Sequence, residues 1–409
     1  MRNTFLPFSP PCIGEDEINE VIDTLRSDWI TTGPKVKRFE EEFARVVHAP
    51  DALAVSSCTA ALHLSLLALQ IGQGDAVLTT TLTFCSAVHV IEHVGATPIL
   101  CDVEPGTLNL DPRSVRSQIE MAQQRGLRVR ALMPTHLYGH PCDRDEIMRI
   151  AAEYNLAVIE DAAHALPASY RSRPIGSTSV SESVPVLTCF SFYATKNLTT
   201  AEGGMLTGQT TLIDRARRWS LHGMQSDAWK RYGSNGSWAY EVVCPGHKYN
   251  MTDIQAALGL QQLKKLPAFH ARRREIVEKY QSAFRSFNGL ELPIEKEDVQ
   301  HAWHLYVLRL HADRLGITRD EFIRSMRDRN IGCSVHFIPV HLHRYYRDKY
   351  GYEPNDFPIA MREFQRIVSL PLSPRMTDGD VQDVIDAVTE VIDQSQHAGN
   401  VKEADAVRV

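Results

Sequence analysis

From residue 52 onward, short apolar runs alternate with longer stretches in which apolar residues recur every three or four positions. The runs predict strands over 52–56, 76–79, 97–101, 128–133, 157–160 and 186–192, and the stretches between them predict helices over 59–70, 85–93 and 144–154. Strands interleaved with helices at this spacing imply a mostly parallel sheet covered by helices on both faces, an α/β fold. Amphipathic helices over 14–26 and 36–47 precede the sheet, and helices over 253–263 and 267–287 follow it. A strand over 303–310 and helices over 319–328 and 378–393 then mark a smaller α/β region. The expected division is an N-terminal arm and large domain over 1–264, a small C-terminal domain over 265–393, and a polar, disordered tail over 394–409.

In such sheets ligands bind beyond the carboxyl ends of the strands. Polar residues able to do chemistry fall at those ends. Lys196 closes the stretch Thr188-Cys189-Phe190-Ser191-Phe192-Tyr193-Ala194-Thr195-Lys196. A lysine held against a buried strand loses hydration, and its neutral amine can form a Schiff base with an aldehyde. Asp161 ends Leu156-Ala157-Val158-Ile159-Glu160-Asp161, where a carboxylate could keep a pyridine nitrogen protonated, with His164 three residues on. Ser57-Cys58-Thr59-Ala60 sits at a strand-to-helix junction, where free N–H groups suit a phosphate. Phe84 could stack on a planar ring, and Asn250 precedes a helix. Each also has a plainer role: a solvated lysine, an N-cap at Ser57 or Asp161, a structural histidine, a core aromatic, a turn asparagine. Taken together, a Schiff-base amine, an acid for a pyridine nitrogen, a phosphate cradle and a stacking aromatic are the needs of pyridoxal 5'-phosphate (PLP).

Composition narrows the rest. The 409 residues are 43% hydrophobic and 23% charged, ordinary globular values. With 44 Lys and Arg against 50 Asp and Glu, the net charge of −6 gives no footprint for nucleic acid. No run of about 18 apolar residues predicts a membrane span, and the first residues lack a signal-peptide pattern. The eight cysteines are scattered without a C-x-x-C pair, so reduced thiols in a cytoplasmic protein are expected, with neither a disulfide framework nor a zinc or other metal site.

Several segments resemble the DegT/DnrJ/StrS sugar aminotransferases, a family with fold type I of the PLP enzymes. They are Ser27 to Pro34, Ser57-Cys58-Thr59-Ala60-Ala61-Leu62, Glu160-Asp161-Ala162-Ala163-His164, Phe190 to Asn197, Glu202-Gly203-Gly204, Lys248-Tyr249-Asn250-Met251-Thr252-Asp253, His336-Phe337-Ile338-Pro339 and Ser369-Leu370-Pro371-Leu372. The resemblance implies that Lys196 carries PLP and moves protons and that Asp161 pairs with the pyridine nitrogen. It places His164 near the ring's phenolic oxygen and Phe84 on the ring face. Thr59, Ala60 and Ser191 would hold the phosphate. Asn250 would reach the phosphate of a partner subunit, making the active unit a homodimer with shared sites. Cys58 stands where many relatives have Gly. The segment Leu221 to Tyr232 is similar to a subgroup acting on UDP-4-keto sugars, which with Thr32, Trp229 and His336 supplies candidate substrate contacts. The implied reaction moves an amino group from L-glutamate to a nucleotide-linked keto sugar. The alternatives are a keto-cyclitol acceptor, a PLP-dependent sugar dehydratase, against which Lys196 argues, and a non-enzymatic regulator on the same scaffold.

Overall fold

The computed structural model describes residues 2–177, 184–224 and 240–406, with side chains through 397. Its centre is a seven-stranded sheet in the spatial order Asp51–Val55, Gly204–Gly208, Val186–Ser191, Ala157–Asp161, Arg128–Met133, Asp75–Thr80, Thr97–Cys101. Every strand runs parallel except Gly204–Gly208, which is antiparallel to both neighbours. This is the mostly parallel, helix-covered sheet expected from the alternating pattern.

The strand Gly204–Gly208 escapes pattern reading because five residues bounded by glycines look like a turn. The glycines are there for close approach. A Cβ at Gly204 would lie 2.5 Å from the carbonyl carbon of Ser57 and 2.7 Å from the nitrogen of Cys58. At Gly208 it would lie 2.6 Å from Leu187 Cδ2. The strand therefore presses its backbone against the start of helix Cys58–Ala68. That helix is apolar all round and buried between the sheet and helix Thr210–Ser220, as expected for an internal helix.

Sequence reading broke one helix in two near residue 265. The structure has a single helix, Asp253–Phe284, with Pro267 inside it. A proline removes one backbone hydrogen bond, but Leu263, Leu266, His270 and Arg273 around it are all buried, and that packing carries the helix through. Its N-terminus is closed by a capping box of Thr252 and Gln255. The carboxylate of Asp253 accepts N–H groups of Gly33 and Val36, both at 2.9 Å, and of Lys35 at 3.1 Å, which ties it to the start of helix Pro34–Val46.

A second core surrounds the antiparallel strands Leu290–Glu291, Tyr306–Leu310 and Ile367–Leu370, with Tyr280, Phe284, Phe322 and Val384 at its centre. Leu6 of the N-terminal arm belongs to this core. Leu6 N–H donates to Asn330 at 2.8 Å and its carbonyl accepts from Gly332 at 2.9 Å. The last helix, Asp378–Ala406, runs past residue 393, where a polar tail was expected to begin. Polar composition does not end a helix, and between 394 and 406 there is no proline and only Gly399 to weaken it. Among the described residues no helix is long and apolar enough to cross a membrane, and all eight cysteines are free thiols.

Candidate active site

The residues with chemistry gather at one edge of the sheet, at the carboxyl ends of its parallel strands. Asp161 and Ser191 end their strands, and the Ser56–Ala60 turn follows Asp51–Val55. Register explains why they meet. Gly204 pairs with Val55 on one side and Ser191 on the other, so the cradle turn and Ser191 flank the same glycine.

At the cradle, Ser57 is the N-cap of its helix, with Oγ accepting the Ala60 N–H at 3.0 Å. The plainer reading of Ser57 thus holds here, and the Ala60 N–H is engaged within the chain. The Ser191 hydroxyl accepts the Tyr193 N–H at 3.4 Å, a long contact that leaves its own proton free to donate.

Lys196 lies within electrostatic reach of Asp161 and Cys58. Burial is the main influence on its amine and lowers its pKa to about 8, with the charge of Asp161 and the Cys58 thiol pulling the other way. The amine is therefore neutral in appreciable proportion near physiological pH. The loop carrying it is fixed by the next residue. Asn197 Nδ2 donates to the carbonyls of Leu166 and Ala302, both at 2.8 Å, which turns its Oδ1 toward His304 Nδ1 at 3.2 Å. Ser9 of the N-terminal arm donates to the Thr195 carbonyl at 3.3 Å.

Asp161 is buried, and burial raises its pKa, opposed by the Ala163 N–H at 3.1 Å and by Lys196. A buried carboxylate with no cation bonded to it among the described residues is a place for a cationic ligand group. His164 Nδ1 accepts the Tyr138 N–H at 3.2 Å, which puts the ring proton on Nε2. Burial and then the neighbouring Lys196 charge hold His164 neutral, so it is a hydrogen-bond donor without charge.

Rings join the remaining candidates to this centre. Phe84, 56% exposed on the rim, packs at 5.8 Å on Phe337, which stacks at 5.7 Å on His164, which meets His304 at 4.5 Å. His336 packs edge-on against Phe337 and stacks on Phe8 of the arm at 5.2 Å, with Nδ1 2.8 Å from Ser369 Oγ. Burial and then Lys196 lower its pKa to about 4. Sequence reasoning missed His304, Phe337, Asn197 and Tyr138. Only Asn197 and Phe337 fell inside a quoted motif, and none carries a signal of its own.

Thr32 and Asn250 pair beside the cradle turn: Asn250 bridges Val55, its Nδ2 donates to Thr32 Oγ1 at 2.6 Å, and Lys248 bonds the Asn250 Oδ1. Both Thr32 and Asn250 line a cleft of about 850 Å³ that also holds Glu40 and Arg217 but neither Lys196 nor Asp161. Cleft size therefore does not locate the chemistry; the meeting of amine and carboxylate at the strand ends does. Trp229 lies outside the described residues, as does the part of its segment from 225 to 232.

The donor set fits PLP: an amine with its pKa lowered, a buried carboxylate without a bonded cation, a neutral imidazole donor, and a helix N-terminus beside a free hydroxyl. The model of the DegT/DnrJ/EryC1/StrS aminotransferase family matches residues 11–389. The chain belongs to that family. Among its relatives is the spore coat polysaccharide biosynthesis protein SpsC of Bacillus subtilis, 51% identical over 393 residues that cover 96% of this chain and 98% of the relative. A putative sugar aminotransferase from Streptococcus pneumoniae, Spr1654, solved in its PMP form, superposes with a TM-score of 0.86 at 32% identity, covering 97% of this chain and 100% of that one. The aminotransferase TlmJ from Streptoalloteichus hindustanus gives 0.83 at 31% identity, over 95% and 99%. Membership of the DegT/DnrJ/EryC1/StrS family makes the chain a PLP-dependent aminotransferase, with PLP as its cofactor.

Proposed function

We propose that this aminotransferase moves an amino group from L-glutamate to the keto group of a nucleotide-linked sugar, a UDP-4-keto sugar in the first instance. The observation that carries the chemistry is the Lys196 amine, its pKa lowered by burial, within electrostatic reach of the buried Asp161 carboxylate. Support for the sugar comes from relatives: a polysaccharide biosynthesis protein at 51% identity and a putative sugar aminotransferase of the same fold. Support for the UDP-4-keto class is the similarity of Leu221 to Tyr232 to that subgroup.

When bound, PLP supplies an aldehyde that captures amines and a ring that takes up electron density. The chain's residues do the rest. Lys196 Nζ would hold the cofactor at rest, take a proton from the donor's carbon in the first half of the exchange and deliver one to the sugar carbon in the second, acting as base and acid in both. Asp161 keeps the pyridine nitrogen protonated, which makes the ring a better electron acceptor. His164 Nε2 would donate toward the ring's phenolic oxygen, and Phe84 would pack on the ring. Thr59, Ala60 and Ser191 hold the phosphate; for Ala60 this means exchanging its bond to Ser57 for one to the ligand. Asn250 would reach the phosphate of a partner subunit, with Thr32, Trp229 and His336 as sugar-side contacts. These fixed contacts replace a search through orientations with a set geometry.

The test is a set of nucleotide-linked keto sugars and of keto-cyclitols, each incubated with the holoenzyme and L-glutamate and read by mass spectrometry. An amino sugar nucleotide formed with an equal amount of 2-oxoglutarate supports the proposal. Amination confined to keto-cyclitols would overturn it.

A further inference from the structure

Cys58 is a buried thiol at the first position of the cradle helix, yet its side chain faces Asp161 rather than the cradle. Its Sγ lies 3.8 Å from Asp161 Oδ1 and 3.5 Å from the Cys189 carbonyl. Both partners are acceptors, so the thiol can only donate, and its one proton is shared between the carboxylate and the nearer Cys189 carbonyl. It keeps its proton, because burial and then the adjacent Asp161 charge push its pKa well above the usual thiol range. Oδ1 of Asp161 also accepts the Ala163 N–H at 3.1 Å. Two donors thus converge on one carboxylate oxygen.

We propose that Cys58 is a positioning residue for the cofactor: with Ala163 N–H it occupies Oδ1 of Asp161 and so presents Oδ2 to the pyridine N–H of PLP. This rests on the reading of Asp161 as the pyridine partner. A donor on Oδ1 also favours the carboxylate over the carboxylic acid, which keeps the proton on the pyridine nitrogen. Without it the ring withdraws electrons less strongly, and the Schiff-base nitrogen at Lys196 becomes more basic.

The experiment uses purified wild type, Cys58→Ala, Cys58→Ser and Asp161→Ala. Two quantities are read for each: the PLP dissociation constant, and the pH midpoint at which the long-wavelength absorbance of the bound cofactor disappears. Cys58→Ala should weaken PLP binding roughly 3- to 10-fold and move the midpoint upward by about half a pH unit or more, the size expected of one weak donor to a charged acceptor. Cys58→Ser keeps a donor and should recover at least half of both changes. A space-filling role predicts that Ser and Ala behave alike, and that result would overturn the inference, as would wild-type values for Cys58→Ala. The two readings separate through Asp161→Ala. If it also leaves affinity and midpoint unchanged, the role of Asp161 itself is wrong. If it disturbs both while Cys58→Ala disturbs neither, only the role of Cys58 falls.

Discussion

Glu160 and Asp161 are consecutive carboxylates on one strand, both buried, and the protein treats them in opposite ways. Glu160 points to the face where Arg144 Nε donates to it at 2.6 Å and Thr188 Oγ1 at 2.8 Å, with His136 Nε2 at 3.6 Å. Burial would raise its pKa, but Arg144 and then His136 outweigh that and bring it to about 2. Asp161 points the other way and receives one backbone N–H and one thiol, while burial keeps its pKa raised. A charge that holds the fold is paired by the chain itself. A charge kept for a ligand is buried and left short of partners, at a cost that the ligand offsets on binding.

The sharpest way to break this contrast is at the group that answers Asp161. Lys196→Ala should abolish amino transfer while the protein stays folded, and borohydride reduction of the wild-type holoenzyme should fix PLP to the peptide containing Lys196. Label on any other lysine would remove the site assignment. The amine's pKa of about 8 adds a pH test on the apoenzyme. Capture of added PLP should speed up as pH rises through about 8, because the neutral amine is the reactive form. A midpoint near the ordinary lysine value of 10.5 would mean that burial does not act on this amine.

Next in size is the paired carboxylate. Arg144→Met leaves Glu160 buried with His136 as its remaining cation and should cost up to about 3–5 kcal/mol in urea unfolding. Adding Glu160→Gln should recover much of that loss, since the uncompensated charge is gone. The sign of the pH effect follows from the lowered pKa. Glu160 contributes its stability above the unfolded value of 4.5, and the contribution is lost as pH falls toward about 2. Glu160→Gln should therefore flatten the fall in stability across that window. An unchanged acid limb would mean that the pair contributes nothing net. Asp161→Asn should do the reverse: little change in unfolding, and PLP affinity or turnover down by roughly 10- to 1,000-fold, the range of one to three pKa units of lost ion pairing.

The strand pattern shows this contrast only in part. Lys196, Asp161 and the Ser57–Ala60 turn could be read because a polar residue at the end of an apolar run is a local signal, visible within about ten residues. That Glu160 and Asp161 face opposite ways also follows from strand alternation. Their partners could not be read. Arg144 lies 16 residues before Glu160, and Cys58 lies 103 residues before Asp161. Asn197 is fixed to His304, 107 residues on, by contacts that exist only once the second core has packed against the first. The strand Gly204–Gly208 was hidden because its glycines serve the neighbouring backbone rather than their own strand, and the helix through Pro267 because burial outweighed a local rule.

Asn250 is the intermediate case and carries the smallest expected effect. Its carboxamide is already satisfied within the chain, through Thr32 at 2.6 Å and through Lys248. By the logic that separates Glu160 from Asp161, this is the signature of a structural residue, whereas the family resemblance assigns it to the phosphate of a partner subunit. Both hold if binding exchanges one bond for another, in which case the net gain is small. Asn250→Ala should then weaken PLP binding only about 3- to 10-fold, the net worth of one hydrogen bond to a charged group. The decisive form uses mixed dimers, one subunit carrying Lys196→Ala and the other Asn250→Ala. If sites are shared, one site in the mixed dimer lacks both functions and the other has both. The purified mixed dimer should then show close to half of wild-type activity at limiting PLP, above both parent dimers. If Asn250 serves its own subunit, every site carries one defect and the mixed dimer shows only about half the activity of the Asn250→Ala dimer, which would place Asn250 with Glu160 among the residues that hold the fold.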